Sequence, residues 1–375
     1  MIRRAFGAQS VATKELARLI RDAFTARLKS QLYNNEVTPQ DLEKYSRQVL
    51  FAPLGREGQE RLLASRAVVL GCGALGSFSS AALVRAGVGH VIVVDRDYVE
   101  PSNLQRQSLF DERDAAECLP KAAAAEVHLR AINSGVTVEG RIADVTPENI
   151  ERLIAGAHVI LDGTDNFETR YLLNDAAVKL GIPWIYAAAV GSYGLTMPIL
   201  PGRTKCLACV FPVPPSGPQE TCDTMGILAS AVSAVASFQV TDAIKVMIGA
   251  EVEPRLLSLD VWQNRVSTLL TRTADPTCEV CGLRRFRHLA GEGRPAITLC
   301  GRNSVQIHEH DRPVDLAALS LRLQPLGTVR ANSFALMFSP DSETTITLFA
   351  DGRAIIKGTD DPGVARSLYA RYVGS

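Results

Sequence analysis

At 375 residues the chain is longer than one compact core usually accommodates, so one large domain with a smaller companion is expected. Lys plus Arg and Asp plus Glu are both 40, a zero balance that argues against a nucleic-acid coat or an anionic membrane as the main partner. No apolar run reaches the roughly 20 residues of a membrane span, and the start has two arginines but no apolar segment of a signal peptide; the cytoplasm is the expected compartment, with an organelle presequence over the acid-poor residues 2–13 as the alternative.

In chain order, Leu16, Leu19, Ile20, Phe24 and Leu28 recur at helical spacing between charges and predict an amphipathic helix over about 11–32. Thr38-Pro39-Gln40-Asp41 reads as an N-cap with proline in the first turn, so residues 1–43 form an N-terminal helical extension. Over 44–289 strands alternate with helices. Strands are expected at 67–70, 91–94, 136–138, 159–161 and 184–186, with helices running through Arg85, over 121–132 and over 168–180. That alternation predicts an α/β fold, a Rossmann-like, mostly parallel sheet with helices on both faces. Residues 212–218, with four prolines, read as a loop, and 227–248 as a long helix apolar nearly all round, buried or at a subunit interface. Beyond 290 the texture changes to a small α+β appendage, 290–375: strand-like 296–307, helix 314–323, a hairpin over 345–356 turning at Asp351-Gly352, and a last helix over 362–372.

Gly71-Cys72-Gly73-Ala74-Leu75-Gly76 follows a strand and opens a helix, and Asp95 ends the next strand. Glycines admit close backbone approach to a phosphate, the helix N-terminus attracts its charge, and the acid suits ribose hydroxyls. NAD enzymes share this device, and a ligand-free tight turn looks the same. The polar stretch from Asp95 through Asp97, Ser102, Asn103, Gln105 and Arg106, with Lys121 opening the next helix, narrows the choice. An arginine and a lysine converging beside a phosphate loop suit a triphosphate better than the two phosphates of NAD. Asp165, after another apolar strand, could hold Mg²⁺; it and Asn166 also fit a helix N-cap. The candidate cofactor-binding positions are therefore Gly71, Gly73, Ala74, Gly76, Asp95, Asp97, Ser102, Asn103, Gln105, Arg106, Lys121, Asp165 and Asn166. Two C-x-x-C pairs, Cys206/Cys209 and Cys278/Cys281, have the composition of a structural Zn²⁺ site. Cys222 stands apart before the long helix, whose N-terminus would activate a thiol, although Asp223 opposes this and a buried inert thiol is the alternative.

Tyr45-Ser46-Arg47-Gln48, the glycine loop, Asp95-x-Asp97, Ser102-Asn103-Leu104-Gln105-Arg106-Gln107, Pro120-Lys121 and Thr164-Asp165-Asn166-x-x-x-Arg170 together resemble the ThiF/MoeB/HesA adenylyltransferases, bacterial relatives of the ubiquitin-activating enzymes. The resemblance runs in order over about 44–282, and only Ala74 departs, where many relatives have glycine. It implies ATP as the nucleotide, Asp95 on the ribose, Asn103, Arg106 and Lys121 on the phosphates, and Mg²⁺ on Asp165. It further implies a homodimer in which Arg47 reaches the triphosphate of the other subunit, a zinc site at the four cysteines, and a catalytic role for Cys222. Arg47, Arg106, Lys121, Asp165 and Cys222 are the expected catalytic set. The implied reaction is adenylation of the C-terminal carboxylate of a ubiquitin-like sulfur-carrier protein, followed by sulfur transfer from a cysteine desulfurase or sulfurtransferase, in thiamine thiazole or molybdopterin synthesis. The carrier's Gly-Gly tail is expected beside Gly191-Ser192-Tyr193-Gly194. Two rival readings are a tRNA-modifying dehydratase of the same superfamily, which zero net charge disfavours, and an NAD-dependent oxidoreductase, for which no hydride-transfer acid–base pair is visible.

Overall fold

The computed structural model describes residues 43–213, 225–292, 297–299, 304–307, 314–332, 335–350 and 352–374. The helices expected over 11–32 and from Thr38 lie outside them. The first elements are α1 (Ser46–Val49), α2 (Gly55–Leu63), β1 (Arg66–Leu70), α3 (Ala74–Ala86), β2 (His90–Asp95), α4 (Glu112–Ala116), α5 (Lys121–Ile132) and β3 (Thr137–Ile142). They are followed by α6 (Ile150–Ile154), β4 (Val159–Asp162), α7 (Phe167–Leu180), β5 (Trp184–Val190), β6 (Tyr193–Ile199), α8 (Leu207–Val210), α9 (Ala229–Ile248), β7 (Arg255–Asp260) and β8 (Arg265–Leu270).

One eight-stranded sheet runs β3-β2-β1-β4-β5-β6-β7-β8. The pairs from β3 to β5 are parallel, and β6, β7 and β8 add an antiparallel extension. Strands β1, β2 and β4 are near-continuous Val/Ile/Leu runs because both faces are covered. On one face α3, α5 and α9 supply Leu83, Val84, Ala125, Leu129, Val240 and Ala243. On the other, α6, α7 and α8 supply Ile150, Leu173, Ala176 and Leu207. The sheet beyond β5 was not foreseen: β8 is exposed along its whole length and so has no burial pattern to read.

Helix α9, expected to be buried or at a subunit interface, has one buried side and one exposed side in the single chain. Ala231, Val232, Val235, Ala236 and Gln239 are buried, whereas Phe238 is 40% exposed and Ser233 and Ser237 face outward. It has the length and hydropathy of a membrane span, yet it packs on β4, β5 and β6 so tightly that a Cβ on Gly194 would lie 2.1 Å from Val235. Gln239 is its polar pin. The Gln239 amide donates to the Asp162 and Ile185 carbonyls at 2.8 and 2.9 Å, and its oxygen accepts the Ser79 hydroxyl at 2.8 Å. One side chain thus joins α9, α3 and the ends of β4 and β5.

The C-terminal region contains β9 (Ile297–Leu299), β10 (Ser304–Ile307), α10 (Leu316–Leu323), β11 (Thr328–Ala331), β12 (Ala335–Ser339), β13 (Thr345–Phe349), β14 (Ala354–Lys357) and α11 (Pro362–Tyr372). Its six strands form an antiparallel sheet, β11-β12-β13-β14-β10-β9, and α10 and α11 cover one face through Leu319, Leu323, Ala365 and Tyr369. The hairpin and terminal helix lie where the sequence places them.

Gln239→Leu would strand two carbonyls and a hydroxyl in the core, so we expect it to lower the unfolding free energy by about 2–4 kcal/mol. Urea denaturation checks this, and an unchanged midpoint would show that the pin contributes nothing.

Candidate functional site

The site lies at the C-terminal edge of the parallel strands, where loops leave β1, β2 and β4. After β1 the chain turns through Gly71, whose φ of +86° places it in the left-handed region, and Gly73 caps α3. Three glycines here are dictated by contact. A Cβ on Gly76 would lie 1.8 Å from the Gly71 oxygen, one on Gly163 2.3 Å from the same oxygen, and one on Gly71 2.6 Å from the Gly163 oxygen. Gly73 is different: its missing Cβ points into space with only the Gly163 oxygen at 3.9 Å. That opening at a helix N-terminus is the cradle an anionic group would fill.

Asp95, ending β2, is buried beside this turn and accepts the Cys72 amide at 2.5 Å and the Asp97 amide at 2.7 Å. Burial, with the Asp97 charge adding to it, raises its pKa to about 6 against the pull of Lys121 and the two amides. Lys121 starts α5, buried, with its backbone amide on the Asp97 carbonyl at 2.8 Å and its ammonium 3.3 Å from the Asp97 carboxylate. Burial works against its charge, but Asp97, Asp95 and Asp165 outweigh that and push its pKa above the usual lysine value. It is a permanent cation, unsuited to act as a base. Between them, Pro101–Asn103 form a 3₁₀ turn. The Asn103 Oδ1 accepts the Glu100 amide at 3.2 Å, which directs its Nδ2 hydrogens elsewhere and makes them the side that could meet a phosphate. Arg106 follows one turn later, half-buried, its guanidinium donating to the Ser102 carbonyl at 2.8 Å; Ser102 and Gln105 are exposed.

At the end of β4, Asp162 is fully buried and paired with Arg170 at 3.1 Å, while Thr164 donates to it through its amide and hydroxyl. Arg170 also donates to the Thr164 and Ala187 carbonyls at 2.6 and 3.2 Å, fixing the turn that presents Asp165. Asp165 is exposed, and Asn166 is the N-cap of α7, accepting the Thr169 amide. The sequence singled out Asp165 but gave no role to Asp162, Arg170 or Gln239. The local signal for the first two is an acid closing a strand eight residues before an arginine in the next helix's first turns.

The four cysteines of the two C-x-x-C pairs converge. Cys206 is 3.7 Å from both Cys209 and Cys278, and Cys209 is 3.3 Å from Cys281, sulfur to sulfur. Four sulfurs at about 2.3 Å from one tetrahedral zinc would be about 3.8 Å apart, whereas a disulfide needs about 2.0 Å, so the cluster has the dimensions of a metal site. Helix α7 holds both of its halves: Asn174 accepts the Leu207 amide at 3.0 Å, and Asp175 accepts the His288 and Leu289 amides at 2.9 and 3.3 Å. Tyr171 stacks on His288 at 5.1 Å and donates to the Phe211 carbonyl at 2.6 Å.

Arg47, expected to serve the other subunit, lies away from the glycine turn of its own chain. Arg47 is exposed on α1, which packs at the far end of α3: Gln48 donates to the Ala86 carbonyl and Tyr45 receives Asn133. The 13 residues of α3 span about 20 Å, beyond the reach of an arginine side chain. Cys222 lies outside the described residues. Cys72 is buried and Cys118 partly so.

Comparisons with known proteins give the family and the fold. Residues 45–280 match the model of the ThiF family. The chain is 50% identical over 335 residues to the sulfur carrier protein ThiS adenylyltransferase of Bacillus subtilis (strain 168), covering 88% of this chain and 99% of that protein. It is 39% identical over 253 residues to the sulfur carrier protein adenylyltransferase of Thermus thermophilus, covering 65% and 92%. With the adenylyltransferase and sulfurtransferase MOCS3 of Anopheles gambiae it shares 35% over 261 residues, covering 68% and 58%. Among solved structures, E. coli MccB superposes with a TM-score of 0.57 at 23% identity over 66% of this chain and 74% of that one, a likeness of fold.

Burial raises the Asp175 pKa from 3.8 to about 6. Its native form therefore binds a proton more tightly than the unfolded chain. The cost of ionising it is absent below about pH 4, grows as pH rises to about 6, and is constant above, at about 3 kcal/mol. We expect Asp175→Asn to gain stability relative to the parent by up to that amount between about pH 4 and pH 8, measured by urea denaturation; a difference independent of pH would contradict the assignment.

Proposed function

The chain belongs to the ThiF family, and on that premise we propose how its site works. The protein is an ATP-dependent adenylyltransferase that activates the C-terminal carboxylate of a ubiquitin-like sulfur-carrier protein, in thiamine or molybdopterin biosynthesis. The observation that carries the site assignment is the opening at Gly73 with the buried Lys121 cation beside it.

In our reading Asp95 receives the ribose hydroxyls, the Gly71–Gly76 turn with Ala74 takes the phosphates against its amides, and Asn103, Arg106 and Lys121 neutralise them, with Asp97, Ser102 and Gln105 bordering the pocket. The carrier's carboxylate is ionised at neutral pH and requires no base. Its oxygen attacks the α-phosphorus, the bond from that phosphorus to the pyrophosphate oxygen breaks, and pyrophosphate leaves, giving the acyl-adenylate. The protein's contribution is position and fixed positive charge where charge develops. Asp165, exposed at the end of β4 and carrying charge toward Lys121, fits Mg²⁺, which when bound would add neutralisation at the phosphates. The tail would enter past the turn between β5 and β6, where Gly191 has φ +59° with open space around it and Tyr193 is 42% exposed.

A sulfur nucleophile then attacks the acyl carbon and the carbon–oxygen bond to AMP breaks, releasing AMP. We assign Cys222 to this step, with a cysteine desulfurase or sulfurtransferase as the sulfur source. Cys206, Cys209, Cys278 and Cys281 would hold a structural Zn²⁺ that ties the segment after β6 to the end of the 44–289 domain. Arg47 sits at the wrong end of its own α3, beside Leu50 and Phe51, which are 72% and 63% exposed. Both features favour a homodimer in which Arg47 serves the partner's triphosphate. The cytoplasm, where such thiols stay reduced, suits the metal site.

Arg106→Ala and Lys121→Met are each expected to lower carrier-dependent ATP–pyrophosphate exchange by about 10²-fold or more. Full exchange in either variant would remove that residue from the site. The parent protein is expected to purify with a single zinc per chain and to lose both the metal and thermal stability in Cys278→Ser, as read by elemental analysis and melting; an unaltered melting curve would contradict a structural metal.

A further inference from the structure

The C-terminal sheet has two faces, and the second one rests on the nucleotide loop. Residues alternate along its strands as pleating requires: Leu336, Phe338, Ile346, Leu348 and Ile356 face the helices α10 and α11, while Ala335, Met337, Phe349 and Ile355 enclose Tyr98. Tyr98 sits between Asp97 and the 3₁₀ turn of Asn103 and is 6% exposed. The Thr347 hydroxyl reaches the Tyr98 hydroxyl at 3.5 Å, and the Lys357 ammonium lies 5.7 Å from the Tyr98 ring centre while pairing with the Glu100 carboxylate. A second contact holds the other side of the pocket: the Asn332 amide donates to the Glu117 and Cys118 carbonyls at 3.2 and 3.1 Å, just ahead of Lys121. The two segments so gripped are themselves joined, with the Val99 amide on the Leu119 carbonyl and the Lys121 amide on the Asp97 carbonyl, each at 2.8 Å.

We propose that the C-terminal sheet is a clamp for the ATP site, and that Lys357 is a positioning residue for the triphosphate, acting through Glu100 on Asn103. This rests on the reading of Asn103 as a phosphate ligand. The chain of contacts is short. Lys357 fixes the Glu100 side chain, the Glu100 amide holds the Asn103 oxygen, and the Asn103 Nδ2 hydrogens are thereby aimed away from that bond. The Lys357 side chain is 42% exposed and that of Glu100 28%, so the pair adds little to stability by itself. Its effect is on geometry, which separates it from a contact that merely attaches one domain to another.

The test measures binding of Mg-ATP and of adenosine to the full chain by calorimetry. Lys357→Ala is expected to weaken ATP about tenfold, the size of one misplaced charge-assisted contact, while leaving adenosine affinity and the melting temperature nearly unchanged. Exchanging the charges, Lys357→Glu with Glu100→Lys, should recover most of the ATP affinity. Unchanged ATP binding in Lys357→Ala overturns the inference, as does an equal loss for ATP and adenosine, which would mark a general structural defect. A parent protein that binds no ATP would instead overturn the nucleotide reading, and this inference with it.

Discussion

Gly71, Gly76 and Gly163 meet at the edge of the sheet with no room for a single additional carbon, and the arrangement of the pocket follows from that contact. It brings the turn after β1 against the turn after β4, so the opening at Gly73 and the loop that carries Asp165 share one edge of the sheet although 92 positions separate the two residues in the chain. A side chain at any of the three would have to displace backbone, which a packed interior resists. The opening at Gly73 is the complement of this crowding: the one glycine of the loop whose missing side chain leaves space for a ligand.

The surrounding structure fixes those turns by satisfying buried polar groups rather than by added apolar area. Gln239 ties α9 to the carbonyls at the ends of β4 and β5, and Arg170 neutralises Asp162 while holding the carbonyls of Thr164 and Ala187. A buried pair of this kind is poor evidence for stability but well suited to fixing one geometry. Helix α7 serves both ends of the domain: its cap and first turns set the Asp165 turn, and Asn174 and Asp175 hold the segments that carry the four cysteines. The cysteine cluster and the candidate pocket are therefore joined through one helix, although their chemistries are unrelated.

Much of this was legible because it is local. The Val/Ile/Leu runs of β1, β2 and β4, the glycine loop, and the helices over 121–132 and 362–372 carry their signals within a dozen residues. The cysteine spacing announced a cluster, and the sulfur distances are those of one. What escaped depends on distant partners. Strand β8 is exposed throughout and presents no alternation to detect. Helix α9 reads as apolar on every side, but only packing on β6 decides which side is buried. Lys357 looks like a surface lysine, and nothing near it reveals Glu100, 257 positions away. Arg47 reads by its motif as a residue for the other subunit, and α1, packed at the far end of α3, keeps it from its own chain's glycine turn.

The central claim is that the pocket delivers a carrier carboxylate to the innermost phosphorus of ATP, with fixed cations taking up the charge. The most direct measurement uses a carrier whose terminal carboxylate bears heavy oxygen, turned over with ATP and a thiol, with the label then located by mass spectrometry. Attack at the α-phosphorus leaves one carboxylate oxygen in AMP after the thiol has displaced it, and that is the result this account predicts. Heavy oxygen in inorganic phosphate, accompanied by ADP, would mean attack at the outer phosphorus and would contradict it.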